Sequence, residues 1–175
     1  VQWSPAGGKG VEHHHRYALV AADSHSSHWR SCQLVVEASD LSLPRLDAMS
    51  KPDAVWLATR EKAPEGARTH SGRYALDLTL QVARHDSVRP ADIVKPLVDG
   101  LIAGLHAHNG RDAAIVTPRL AARLGLGVER VSALLHDETR AWLGTRRLLW
   151  PRADGFQWNP GDDECVSAMV RVRRD

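Results

Sequence analysis

The stretch that decides the fold is ADIVKPLVDGLIAGL, residues 91–105. Its apolar residues recur every four positions, which predicts an amphipathic helix with one buried stripe. The stripe consists of Ile93, Leu97, Leu101 and Leu105. The same segment carries Asp92, Asp99 and Lys95, the last being one of only four lysines in the chain. The helix therefore carries acidic and basic groups directly after a predicted strand.

The segment before this helix, RYALDLTLQVAR at residues 73–84, alternates apolar and mixed positions and predicts a strand with one buried face. Thr117 is a suitable N-cap and Pro118 a suitable first residue for a later helix. Further strands are predicted at residues 16–22, 29–38, 53–60, 146–150 and 165–172, helices at 117–125 and 128–142, and a loop at 151–163. This order predicts an α/β (α+β) fold with a mixed β-sheet flanked by helices.

The length of 175 residues predicts a single domain over residues 1–175. The composition, 43% hydrophobic and 25% charged, is that of an ordinary globular protein. No apolar run approaches the ~18 residues of a transmembrane helix, and the first residues do not form a signal peptide. Two cysteines indicate a reducing, cytoplasmic location. The chain has far more arginine than lysine, which suits phosphate binding and equally fits a GC-rich bacterial genome.

Acidic residues occur at two places where hard ligands for Mg²⁺ would be expected. Asp92 lies at the start of the predicted helix, and Asp162 and Asp163 directly precede the last predicted strand. Carboxylate oxygens hold Mg²⁺, and a nearby lysine such as Lys95 can stabilise charge on a phosphodiester. A different interpretation is that Lys95 and Asp99 form an i,i+4 ion pair on a solvated helix face and that the acidic pair forms a turn.

The segment IVKPLVDGL, residues 93–101, resembles the second half of the RusA-type Holliday-junction resolvase signature, Asp-x-Asp-Asn-x-x-Lys-Pro-x-x-Asp-x-Leu. GDDECVSAMVRV, residues 161–172, is similar to the Asp-Asp-x-x-Val strand of that family. The resemblance implies a RusA-like α/β fold and a Mg²⁺-dependent endonuclease that acts as a homodimer on branched DNA. It also implies that Asp162 and Asp163 bind metal and that Lys95 and Asp163 are catalytic. Asp92 is a further metal ligand and catalytic residue if the turn before the helix is re-spaced.

The chain departs from the signature at its most important positions. With Lys95 in register, Asp92 stands at the asparagine of the signature, Ala91 at its second aspartate and Arg89 at its first. Both leading metal-binding aspartates are therefore replaced. A cation at Arg89 suits contact with nucleic acid better than metal binding.

The segment LAARLGLGVERVSALL, residues 120–135, resembles a DNA-binding helix-turn-helix, with Gly125 at the turn. Recognition residues would come from the start of the second helix, where Arg130 is the one cationic side chain. The alternative is a helical insertion, residues 117–143, that serves packing or assembly. Either interpretation allows a non-enzymatic DNA-binding or assembly module, to which Arg89, Arg130 and Trp158 would contribute nucleic-acid contacts.

Two further features carry open alternatives. His106 and His108 follow the key helix and either face the same cleft as Lys95 or cap the end of that helix. The aromatic segment around Trp158 forms either a substrate wall or a packed lid. The sequence contains no glycine-rich phosphate loop and no nucleophile elbow, which argues against nucleotide-dependent and serine-hydrolase chemistry.

Overall fold

A computed structural model describes residues 2–3, 15–16, 50–63, 65, 74–82 and 90–174. The chain divides into two compact units, the first made of residues 1–39, 72–94 and 163–175 and the second of residues 40–71 and 95–162. In the described segments the strands form four two-stranded pairs. The described segments contain both helices and strands, so the fold is of the mixed α/β class.

The first unit contains a parallel pair of long strands. The strand preceding the key helix, β3 (Tyr74–Val82), pairs in parallel with the last strand, β8 (Cys165–Arg174), and Leu76 lies opposite Ala168. Both strands were predicted, the first from its alternating pattern, and both predictions are confirmed. A short antiparallel pair joins β1 (Gln2–Trp3) to β2 (His15–Arg16). The predicted strand 29–38 and residues 17–22 lie outside the described residues.

The predicted strand at residues 53–60 is wrong, because this segment lies within a helix, α1 (Lys51–Lys62). Eight consecutive residues, 53–60, are buried, so the helix is surrounded by protein and has no solvated face in this stretch. Such a helix lacks the 3.6-residue alternation of an amphipathic one, and its sequence resembles a buried strand. Pro52 in the first turn provides a fixed φ at a position where no N–H is needed.

The key helix is α2 (Pro90–Gly104), close to its predicted bounds. Its stripe Ile93, Leu97 and Leu101 is buried, as predicted. Two glycines bring the second half of α2 against α1. A Cβ at Gly100 would lie 2.7 Å from the Pro52 carbonyl oxygen, and a Cβ at Gly104 would lie 2.5 Å from Thr59 Cβ. Only glycine permits this close approach of the two backbones.

The second unit continues through β4 (Ala107–His108), α3 (Ala113–Leu124), α4 (Val128–His136), β5 (Thr145–Arg146), β6 (Leu149–Arg152) and β7 (Gly155–Trp158). β4 and β5 pair in parallel, and β6 and β7 form an antiparallel hairpin. One apolar core joins α3, α4, β6 and β7 to α1. Its members are Trp56, Leu57, Ala103, Val116, Leu120, Ala121, Leu124, Val131, Leu135, Leu148, Leu149 and Phe156.

Three predicted boundaries in this unit are wrong. Helix α3 begins at Ala113 rather than Thr117, because Asp112 adopts a left-handed conformation whose carbonyl accepts the first helical bonds. Pro118 therefore lies inside the helix, where it gives no N–H to the carbonyl of Ala114, an exposed residue. Helix α4 ends at His136 rather than residue 142. The predicted loop 151–163 instead contains the turn and second strand of the hairpin.

The side chain of Arg60, on α1, is fully buried and completes the ends of two other helices. It donates to the carbonyl oxygens of Leu134 at 2.8 Å and Gly104 at 3.3 Å, and also to that of Asp137. The last carbonyl groups of a helix have no hydrogen-bond partner within it, and a cation near them interacts favourably with the negative end of the helix dipole. Burial lowers the pKa of Arg60 to about 10, so the side chain remains charged at neutral pH. No helix in the described part of the chain is long and apolar enough to cross a membrane.

Candidate functional site

Helix α2 places Lys95 and Asp99 one turn apart. The Lys95 ammonium donates to both carboxylate oxygens of Asp99, at 3.0 and 2.9 Å, and its side chain is 60% exposed. The i,i+4 ion pair that the sequence offered as an alternative is therefore present. Exposed pairs of this kind contribute only about 0.3–0.5 kcal/mol, so the contact does not explain the presence of the lysine by stability alone.

The carboxylate of Asp99 has a second charged neighbour, Asp162. Burial raises the pKa of Asp99 most, and the charge of Asp162 raises it further, whereas the bond from Lys95 lowers it. Asp162 begins a short 3₁₀ helix, Asp162–Glu164, that leads directly into β8. The structure thus brings Lys95, Asp99 and Asp162 within electrostatic range of one another, while Asp163 in the same turn is exposed.

The predicted metal ligands are described only in part. Asp92 lies in α2, but its side chain is outside the described set, as is all of Arg89. Among the side chains that are described, no group of three or more His, Cys, Asp or Glu residues could hold a metal ion. The Asp92, Asp162 and Asp163 metal set therefore stays a prediction.

Helices α3 and α4 pack together across a short turn, in the segment that resembles a helix-turn-helix. Gly125 ends α3 in the left-handed conformation, with φ of 65°, and its N–H bonds to the last turn of that helix. The residues that fuse the two helices, Leu120, Ala121, Leu124, Val131 and Leu135, are all nearly inaccessible to solvent. The turn and the packing positions match those assigned from the sequence, because a glycine C-cap and an apolar stripe are local signals.

The first turn of α4 is exposed. Glu129, Arg130 and Ala133 face solvent, and the side chain of Val128 is 42% exposed. Arg130 forms an ion pair with Glu61 on α1, and its side chain is 61% exposed. This surface presents a carboxylate, a guanidinium and small apolar groups on one rigid helix end.

The hairpin of β6 and β7 is fixed against α3 by Arg119. One guanidinium nitrogen, Nη1, donates to the carbonyl oxygens of both Arg152 and Gly155, at 2.6 Å each. These two residues flank the hairpin turn. A single side chain therefore connects the hairpin turn to α3. No sequence signal identified Arg119, because its partners lie more than thirty residues away.

Trp158, a predicted nucleic-acid contact, is half-buried in this hairpin. Its indole N–H donates to Asp53 at 2.7 Å, and its ring lies 5.7 Å from Trp56. Asp53 is 1% exposed and also pairs with Arg123 at 2.6 Å. These contacts hold the hairpin to α1 and α3, which corresponds to the packed lid considered from the sequence. A contact with nucleic acid by Trp158 stays a prediction.

Both histidines after α2 are buried. His106 Nδ1 is 2.9 Å from the Ile102 carbonyl oxygen, which makes it a cap on the last turn of α2. His108 Nδ1 accepts the Leu148 N–H at 3.0 Å, so the proton must be on Nε2, which donates to the Arg111 carbonyl. Burial lowers the pKa of His108. Both side chains serve the fold.

No protein-family model, curated protein or solved structure matches this chain. The candidate sites therefore stand on their geometry and chemistry.

Proposed function

We propose that the second unit binds duplex DNA through the start of α4 and the adjacent β6–β7 hairpin. The observation that carries this proposal is the exposed first turn of α4, presented by a helix-turn-helix with a glycine turn. A helix-turn-helix inserts the N-terminal end of its second helix into the major groove. The hairpin, fixed to α3 by Arg119, would lie beside that helix and extend the contact surface.

The exposed groups have the chemistry that major-groove recognition uses. Arg130 can donate to guanine or to a phosphate, and Glu129 can accept from the amino group of cytosine. Val128 and Ala133 are small apolar groups suited to the methyl group of thymine. Residues 111–158 contain eight arginines, no lysine and five acidic residues. The resulting excess of guanidinium groups favours phosphate contacts around the recognition helix.

Fluorescence anisotropy with labelled duplex DNA at several salt concentrations tests this proposal. The wild-type protein should bind, and Arg130→Ala should weaken binding and reduce the salt slope by about one. Arg130→Lys is the matched control, since it keeps the charge and should retain most of the salt slope. Absence of duplex binding at low salt, or an Arg130→Ala protein that binds as tightly as wild type, would overturn the proposal.

A second candidate is Mg²⁺-dependent cleavage of branched DNA by a RusA-like homodimer. It is favoured by the grouping of Lys95, Asp99 and Asp162, since two of these positions belong to the family signature that the sequence resembles. In this proposal Asp92, Asp162 and Asp163 hold the metal, which supplies an activated water, and Lys95 contacts the scissile phosphate. Asp163→Asn should abolish Mg²⁺-dependent cleavage of a four-way junction and leave binding intact. Intact substrate after incubation of the wild-type protein with Mg²⁺ or Mn²⁺ would reject the candidate.

A further inference from the structure

Trp150, in strand β6, exposes a large part of its indole ring to solvent. Its side chain is 43% exposed, whereas Trp56 is fully buried and Trp142 and Trp158 are half-buried. Along β6 and β7 the residues Leu149, Phe156 and Trp158 face the core. Alternation places Trp150 and its cross-strand partner Gln157 on the opposite, outer face of the hairpin.

The ring of Trp150 is held in position by a neighbouring guanidinium. The Arg147 guanidinium carbon lies 3.8 Å from the centre of the indole ring, within the range of a cation–π contact. Arg147 is itself anchored by an ion pair with Asp112, at the start of α3, and its side chain is only 15% exposed. The indole is therefore pre-oriented, which lowers the entropy lost when a planar ligand stacks on it.

The rest of the outer face is polar and suited to a nucleic-acid strand. Arg152 is exposed and donates to the Gln157 side-chain oxygen, which leaves the planar amide and guanidinium groups side by side. A guanidinium has five N–H donors, so Arg152 can hold Gln157 and still contact a phosphate. An exposed indole beside a guanidinium and an amide is the combination that binds bases by stacking and backbone by charge.

We propose that the outer face of the β6–β7 hairpin binds an unpaired base of a DNA strand, by stacking on Trp150, with Arg152 at the adjacent phosphate. This inference rests on the proposed function, because Arg119 fixes the hairpin to α3, the helix that precedes the proposed recognition helix. The expected ligand is duplex DNA with an adjoining unpaired segment. A fully paired duplex keeps its bases stacked on one another and offers the indole no free base face.

Anisotropy titrations with three probes test the inference: a blunt duplex, the same duplex with a single-stranded thymidine extension, and the thymidine strand alone. Wild type should bind the extended duplex more tightly than the blunt one. Trp150→Ala should lose about 10-fold in affinity for the extended duplex and clearly less, about 2-fold at most, for the blunt duplex. Trp150→Phe should keep part of the preference, and Arg147→Lys, which keeps the charge without the planar stack, should lose part of it.

Ile115→Ala is the matched control, since Ile115 is a similarly exposed apolar residue, at 46%, on α3. It should bind every probe as wild type does. Quenching of indole fluorescence by the thymidine strand should also be weaker in Trp150→Phe than in wild type. Equal affinity of wild type for the blunt and extended duplexes, or an equal loss on both in Trp150→Ala, would overturn the inference.

The outcomes also separate this inference from the proposed function. Binding of the extended duplex and the thymidine strand but not the blunt duplex, with loss in Trp150→Ala, would support stacking and reject duplex reading by α4. Binding of the blunt duplex with no gain from the extension would support duplex reading and reject stacking. Failure of wild type to bind any probe would reject both.

Discussion

Replacing Gly104 by alanine should destabilise the second unit by about 2 kcal/mol. The new Cβ would lie 2.5 Å from Thr59 Cβ and 2.7 Å from Thr59 Cγ2, against a normal carbon–carbon separation of about 3.5–4.0 Å. α1 and α2 must therefore move apart by about 1 Å, and overpacking of this kind costs about 1–3 kcal/mol. The movement also lengthens the 3.3 Å bond from Arg60 to the Gly104 carbonyl, worth about 1 kcal/mol more. The better helix propensity of alanine offsets at most about 1 kcal/mol.

Urea unfolding followed by circular dichroism measures this change in the free energy of unfolding. Gly100→Ala should be destabilising for the same reason, because its Cβ would lie 2.8 Å from Val55 Cβ. Gly155→Ala is the control, since no atom lies within 4 Å of a Cβ at that position, and it should change stability by less than about 0.5 kcal/mol. A Gly104→Ala protein as stable as wild type would show that α1 and α2 do not approach each other this closely.

Three further predictions concern the second unit. Glu61→Gln releases Arg130 from its ion pair and should raise affinity for duplex DNA up to about 5-fold by anisotropy; a lower affinity would contradict the role of Arg130. Arg119→Ala removes both hydrogen bonds to the hairpin and should cost about 1–3 kcal/mol in urea unfolding and weaken DNA binding. Unchanged stability would show that Arg119 does not hold the hairpin. Because burial lowers the pKa of His108, the unfolded state takes up the proton first, and stability is lost as pH falls below the ordinary value of 6.5. His108→Asn should flatten this loss in urea titrations from neutral to acidic pH, and an identical slope would refute the assignment.

The elements that sequence predicts well are those with a local signal, such as a regular spacing of apolar residues or a glycine at a turn. The strand at 74–82, the stripe of α2 and the glycine turn at Gly125 all carry such local signals. α1 could not be recognised, because a helix buried on all sides in its central residues loses its periodicity. At the start of α3, Thr117 and Pro118 imitate an N-terminus, yet the left-handed Asp112 decides where that helix begins.

The candidate sites likewise contain some contacts that the local sequence predicts and others that it does not. The Lys95–Asp99 pair and the exposed Arg130 follow from helix spacing and were predicted from the sequence. The contacts that position the hairpin were not predicted. Arg119, and the Asp53 pair with Arg123, connect residues about 33 to 70 positions apart, and nothing in the local sequence marks which distant group each will meet.

Because of the buried Arg60, α3 and α4 cannot simply be expressed as a fragment or moved to another protein. Its guanidinium supplies donors to the carbonyls of Leu134 and Asp137, at the C-terminal end of α4, from a helix that begins more than seventy residues earlier in the chain. A fragment that starts after α2 would retain every residue of α3 and α4 and lack the cation at the end of α4. The proposed DNA-binding surface therefore depends on the whole second unit, and grafting it onto another scaffold would require a substitute for α1.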